Sequence, residues 1–167
     1  MPSSSSNPGL KWMLAFLRIA LGGIFLLFGE YKLASPEFAH TGIQKWIGGF
    51  LHNDMALHWY RPFLEKIVVP HGVFFGYLFG TGELLVGLAL VTGVWVRPAA
   101  VGGIFMMLNL LFSEWNGVGA SAPLWQYFGA QLEHICPLMI FLVLLAEREP
   151  KLSLRRFFTR GSRKSTD

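Results

Sequence analysis

The fold class predicted is all-α, an integral membrane four-helix bundle with an extra amphipathic segment in a long outer loop, and three observations predict it. Hydrophobic residues make up 53% of the 167 and charged residues only 14%, where an ordinary soluble domain carries about 25% charged residues. Four apolar runs approach the roughly 20 residues that a helix needs to cross a hydrocarbon core of about 30 Å. Basic residues crowd the two ends, at Lys11 and at Arg148, Lys151, Arg155, Arg156, Arg160, Arg163 and Lys164. The pI near 9.5 is therefore read as membrane orientation before nucleic-acid binding. A single cysteine, Cys136, excludes an intramolecular disulfide, a CxxC redox pair and a cysteine-ligated metal site within one chain. Redox chemistry must come from elsewhere.

The first span is read at Leu10 to Phe28, after a tail over 1–9 expected to be disordered. Arg18 interrupts this run and no A-x-A site follows it, which argues for a permanent helix and against a cleaved signal peptide. Spans two and three run from Val73 to Val96 and from Pro98 to about Trp115, and the fourth from about Trp125 to Ala146. Span three is the shortest in uninterrupted apolar core. No linker or repeat divides the chain, so 10–150 is read as one domain and 151–167 as a basic cytoplasmic tail.

With four spans both termini share a side. Lys11, Arg97 and the basic residues after Ala146 lie on that side, against Lys32, Lys45, Arg61 and Lys66 on the other. The positive-inside rule then predicts cytoplasmic termini in a cytoplasmic membrane protein. Trp12 and Trp95 fall at the inner interface and Trp115 and Trp125 at the outer one. In the outer loop, Tyr31 to Pro70, the residues Ile43, Trp46, Ile47, Phe50 and Leu51 recur at helical spacing. They predict a short helix that lies on the membrane or caps the bundle.

Ionisable residues inside a span are costly, about 2.5 to 3.5 kcal/mol each even on lenient insertion scales. Arg18, Glu83, Glu133 and His134 are such residues, and Asn109 is an uncharged polar intruder. On span one Arg18 shares a face with Ala15, Gly22, Phe25 and Gly29; on span two Glu83 shares one with Gly72, Gly76, Gly80 and Gly87. Small-residue stripes are where membrane helices approach closely, so Arg18 and Glu83 are expected to meet inside the bundle. Whether that pair fixes helix register or serves a ligand or proton path stays open. On span three the same count groups Gly102, Met106, Asn109 and Ser113. In span four Pro137 frees the carbonyl of Glu133 beside His134, which suits a polar pocket or a plain kink. His52, His58 and His71 match no metal-ligand spacing, no metal site is expected, and Cys136 reads as a small buried hydrophobe.

The stretches RIALGGIFLLFGEYKL, Arg18 to Leu33, and TGELLVGLALVTGVWVRPAA, Thr81 to Ala100, resemble the DoxX and DoxD family of small four-helix membrane proteins. Pro36, Trp46, the Pro70-His71-Gly72 step and Gly82-Glu83 resemble the DoxD-like branch, the small subunit of thiosulfate:quinone oxidoreductase. The tail KLSLRR resembles the family's closing Ser-Leu segment, with Arg155 where an acidic residue is often found. The resemblance spans about residues 10 to 156. It implies a cytoplasmic-membrane subunit that works with a second oxidoreductase subunit to pass electrons to quinone. Arg18, Asn109 or His134 would contact the quinone headgroup, and Glu83, Glu133 or His134 would handle its protons. No flavin, haem or metal motif is present. The competing class is a non-catalytic membrane scaffold or assembly module, in which the buried charges are structural. A small transporter is disfavoured because no inverted repeat is visible.

Overall fold

A computed structural model describes residues 7–35, 37–119, 122–147, 152 and 153. It is an all-helical bundle, with no strand among the described residues. The longest helix, α1 (Pro8–Ala34), starts at Asn7, whose side chain accepts from the Gly9 amide, with proline in the first turn. Proline there costs nothing, because the first amides of a helix have no intrahelical partner. Helices α2 (Ile43–His52) and α3 (Arg61–Phe63) belong to the long connection, and α4 (Gly72–Thr92) and α5 (Val96–Glu114) follow. The chain closes with α6 (Leu124–Ala130) and α7 (Leu132–Ala146).

Three helices, α1, α4 and α5, are long and apolar enough to cross a membrane. The fourth expected span is broken: α6 and α7 pass the same test only together, and they are bent by 73°. The break lies at Gln131, where Tyr127 accepts from the Gln131 amide and Gln131 in turn accepts from the amides of His134 and Ile135. Pro137, expected to mark the kink, stands inside a continuous α7. The helix runs on through it, without the amide that would have bonded the Glu133 carbonyl. With 15 residues, α7 alone is about 22 Å long. The angle lays α6 across the end of α7, with Leu124, Trp125 and Phe128 exposed.

The most extensive helix contact is between antiparallel α1 and α4. It follows the small-residue faces read from the sequence, for Ala15, Arg18, Gly22, Phe25 and Gly29 are buried on α1, and Gly72, Gly76, Gly80, Glu83 and Gly87 on α4. A Cβ at Gly29 would stand 2.7 Å from the Leu84 amide nitrogen, and one at Gly87 2.8 Å from the Gly22 carbonyl oxygen. Only glycine allows backbones this close. On α5 the buried residues are Val96, Ala99, Ala100, Gly103, Met107 and Ser113; of the expected line Gly102, Met106, Asn109 and Ser113, only Ser113 is buried, and the face through the middle of the helix lies one position away. Gly103 sets this rotation, since the Phe141 ring of α7 occupies the space of its absent side chain. The central core joins Leu21, Phe25, Leu90, Ala100, Phe141 and Leu144. Outward faces are apolar too, with Phe16, Leu27, Leu85, Phe105 and Met139 exposed. Helices apolar all round suit lipid. Cys136, expected to be buried, is exposed on one such face.

The connection between α1 and α4 packs over one end of the bundle, here called the cap end; the opposite end, here called the terminal end, holds the start of α1 and the end of α7. Ala56, Tyr60, Leu64 and Val68 form a second core there, joined by Ile47 and Leu51 of α2. The predicted amphipathic helix is thus real, and its apolar face caps the bundle while Trp46 points outward, 60% exposed. Leu57 donates its amide to the Phe112 carbonyl, and Asn116 donates its own to Met55, so the cap is tied to the end of α5. Arg61 holds the segment from below through Asp54 at 2.6 Å, Glu65 at 2.8 Å and the Leu51 carbonyl at 3.0 Å. The Glu65 hydrogen bond is the largest of the interactions that keep the Arg61 guanidinium above its usual pKa.

Candidate functional site

Arg18 is fully buried. Its guanidinium donates to the Leu90 carbonyl at 2.5 Å and to the Leu152 carbonyl at 3.3 Å, and Glu147 is the acid that acts on its charge. Leu90 lies in the last turn of α4, where its carbonyl also accepts the capping amide of Gly93 at 3.3 Å and a cation meets the negative end of the helix dipole. Ser153 completes the arrangement by donating to the Gly93 carbonyl at 2.8 Å. Arg97 does the same for α7, donating to the Leu145 carbonyl at 3.1 Å. Two arginines therefore close the terminal end of the bundle. Sequence reading counted Arg97 only as a charge outside the membrane.

The expected Arg18–Glu83 pair does not form. Glu83 shares the seam but is ion-paired with Lys32, which had been assigned to the outer loop. With Gly22 against Gly87 and Gly29 against Gly80, Glu83 faces position 26, so Lys32 is about 9 Å away along the axis and Arg18 about 12 Å. Direction decides more than distance. Side chains lean toward the N-terminus of their own helix. In antiparallel helices Lys32 and Glu83 lean toward each other, while Arg18 leans away, to the terminal end. The signal was in the sequence, because the spacing 18, 22, 25, 29 continues to 32.

Asn109 is also engaged within the chain. It accepts from the Tyr60 hydroxyl and donates to the Phe105 carbonyl at 2.7 Å. Burial pushes the Tyr60 hydroxyl up to about 12. Tyr60, missed in the sequence, is packed by Phe112 and Phe63 at ring separations of 5.6 and 5.2 Å.

The fourth polar group sits at the cap end, where α5 stops and α7 begins. His134 is buried, and both its ring nitrogens lack a hydrogen-bond partner among the described residues. Its Nε2 is 3.7 Å from a Glu114 oxygen and its Nδ1 3.9 Å from a Glu133 oxygen. Gln131 donates to the Glu114 backbone carbonyl at 2.8 Å, leaving its own buried Oε1 without a partner. Glu133 and His134 are thus adjacent as expected, but Glu114 enters from another helix, and Glu133 is 72% exposed. Arg18, Glu83, Asn109 and His134 do not converge on one pocket. The cavity found is an apolar cleft of about 140 Å³ between α1 and α7, lined by Leu14, Leu17, Met139, Ile140, Val143 and Leu144.

The sequence model of DoxX matches residues 13–115, which takes in the glycine seam, the cap and all of α5. The chain belongs to the DoxX family. The matched stretch of this DoxX protein contains Arg18, Lys32, Glu83, Asn109 and Glu114, and it ends before Glu133 and His134. No curated protein and no solved structure matches the chain. Pro36, used for the DoxD-like resemblance, lies outside the described residues, as do residues 1–6 and nearly all of the basic tail.

Proposed function

We propose that this DoxX protein is a non-catalytic membrane subunit that anchors and assembles a redox partner at the cytoplasmic membrane, with both termini on the cytoplasmic side. The observation that carries this reading is the use made of Arg18. The most deeply buried charge ties α1 to the end of α4 and to the segment after α7 through backbone carbonyls. Asn109 likewise spends its polar atoms on Tyr60 and the Phe105 carbonyl, and Glu83 spends one carboxylate oxygen on Lys32, its buried Oε2 having no hydrogen-bond partner among the described residues. Groups engaged in this way hold helices in register. They offer little to a substrate unless those contacts break.

A second reading is that the chain is the quinone-contacting, DoxD-like subunit of an oxidoreductase such as thiosulfate:quinone oxidoreductase. The α1–α7 cleft supports it, since its six apolar side chains suit an isoprenoid tail and Leu14 and Leu17 stand within one turn of Arg18. The headgroup would take the place of the Leu152 carbonyl, which at 3.3 Å is farther from Arg18 than the Leu90 carbonyl.

One experiment separates the two. Under the assembly reading, Arg18→Ala lowers the yield and melting temperature of purified protein, a quinone analogue does not restore them, and Val143→Trp, which fills the cleft, changes neither. Quinone absorbance copurifying with the wild type and lost in Val143→Trp would overturn the assembly reading in favour of the second.

A further inference from the structure

At the cap end two carboxylates from different helices approach one buried imidazole, and no hydrogen bond among the described residues accounts for the arrangement. The ligand atoms of Glu114, Glu133 and His134 all lie within 4.8 Å of one another. Separations of 3.7 and 3.9 Å from the imidazole to the carboxylates are too long for hydrogen bonds, which run from about 2.7 to 3.2 Å. The Nε2–Glu114 separation of 3.7 Å approaches the edge of a coordination polyhedron, since two ligands each about 2.1 Å from a tetrahedral ion are about 3.4 Å apart, while Glu133 lies on the Nδ1 side of the ring. Burying an imidazole with both nitrogens unpartnered is unfavourable in a dry environment. Gln131, 3% exposed, offers a third oxygen and a fourth ligand, for its Nε2 is held on the Glu114 backbone carbonyl and its buried Oε1 has no hydrogen-bond partner among the described residues.

We propose that Glu114, His134 and Glu133, with Gln131 as a supporting ligand, bind a divalent first-row transition ion, Zn²⁺ being the representative. A single ion takes one ring nitrogen, and Nε2 on the Glu114 side is assigned to it. The exposed Glu133 closes the site by rotating its side chain. Imidazole selects such an ion over Mg²⁺ or Ca²⁺, which prefer all-oxygen sites. The ion offsets the two carboxylate charges and fastens the end of α5 to the start of α7, at the break that divides the last span. The site lies at the end of the bundle away from Arg18 and does not depend on the proposed assembly role.

The test is calorimetric titration of Zn²⁺ into the detergent-solubilised full chain, alongside thermal unfolding with and without the ion. Expected are saturation at one ion per chain, a rise in melting temperature, and no displacement by excess Mg²⁺. Binding weakens by at least about tenfold in Glu133→Gln and Glu114→Gln, and is lost in His134→Gln. Glu133 is exposed, so its variant keeps the fold and reports even if the others do not. Absence of binding in the wild type overturns the proposal. So does equal binding in wild type, Glu133→Gln and His134→Gln, which would assign the ion to surface histidines such as His52 and His58.

Discussion

At Glu83 a carboxylate is buried in the middle of a lipid-facing helix pair, and a single ammonium, that of Lys32, answers it. Removing one partner of a buried pair strands the other charge, at a cost of about 3 to 5 kcal/mol, whereas replacing both with apolar groups is often neutral. Lys32→Met alone is therefore expected to lower the melting temperature of the purified protein sharply, and Lys32→Met with Glu83→Leu to recover most of the loss. Equal loss in single and double variants would show that the pair is not what holds Glu83. The burial of both seam charges was legible in the sequence from the glycine spacing. Their partners were not, because helical spacing fixes which side a residue faces and says little about which way its side chain leans.

Between elements, α1 and α4 are held by contact of backbone with backbone. Gly29 and Gly23 are near neighbours on α1 with opposite surroundings: a Cβ at 29 meets the Leu84 amide and the Gly80 carbonyl at 2.7 and 3.0 Å, while one at 23 meets nothing within 4 Å. Gly29→Ala is expected to push the helices apart and cost about 1 to 3 kcal/mol. Gly23→Ala is expected to be neutral or slightly stabilising, as alanine favours helix over glycine by about 1 kcal/mol. Thermal unfolding of the two variants checks this; equal effects would mean that the seam yields. The three complete spans were readable from the length of their apolar runs, and the capping helix from its apolar periodicity. The break at Gln131 was not, since the glycine beside it, Gly129, is one of many in these helices and Pro137 is the more obvious breaker. A proline near the start of a helix interrupts little, and the turn at Gln131 is instead set by where α5 ends, through Gln131's bond to Glu114.

Taken whole, the molecule is two cores joined end to end, one within the apolar helices and one in the cap formed by the connection between α1 and α4. The ends differ in kind. Arginines close the terminal end by donating to helix carbonyls, and aromatic packing around Tyr60, Trp59 and Phe112 closes the cap end. The proposed orientation places the cap outside the cytoplasm. With Cys136 replaced by serine, a cysteine introduced at the exposed Asn53 is expected to react with a membrane-impermeant maleimide in intact cells. Reaction only after the cells are opened would invert the topology and place the termini outside.

Taken alone, the order of residues determined that this chain is a membrane helix bundle of the DoxX kind. Apolar run length, glycine spacing and the placement of basic residues act along one helix at a time, and each is complete before any helix meets another. Only the tertiary structure decided the partners: Arg18 with Leu90 and Leu152, Glu83 with Lys32, His134 with Glu114. Those depend on antiparallel register, side-chain lean and the bend between α6 and α7, quantities that exist only once the helices are packed.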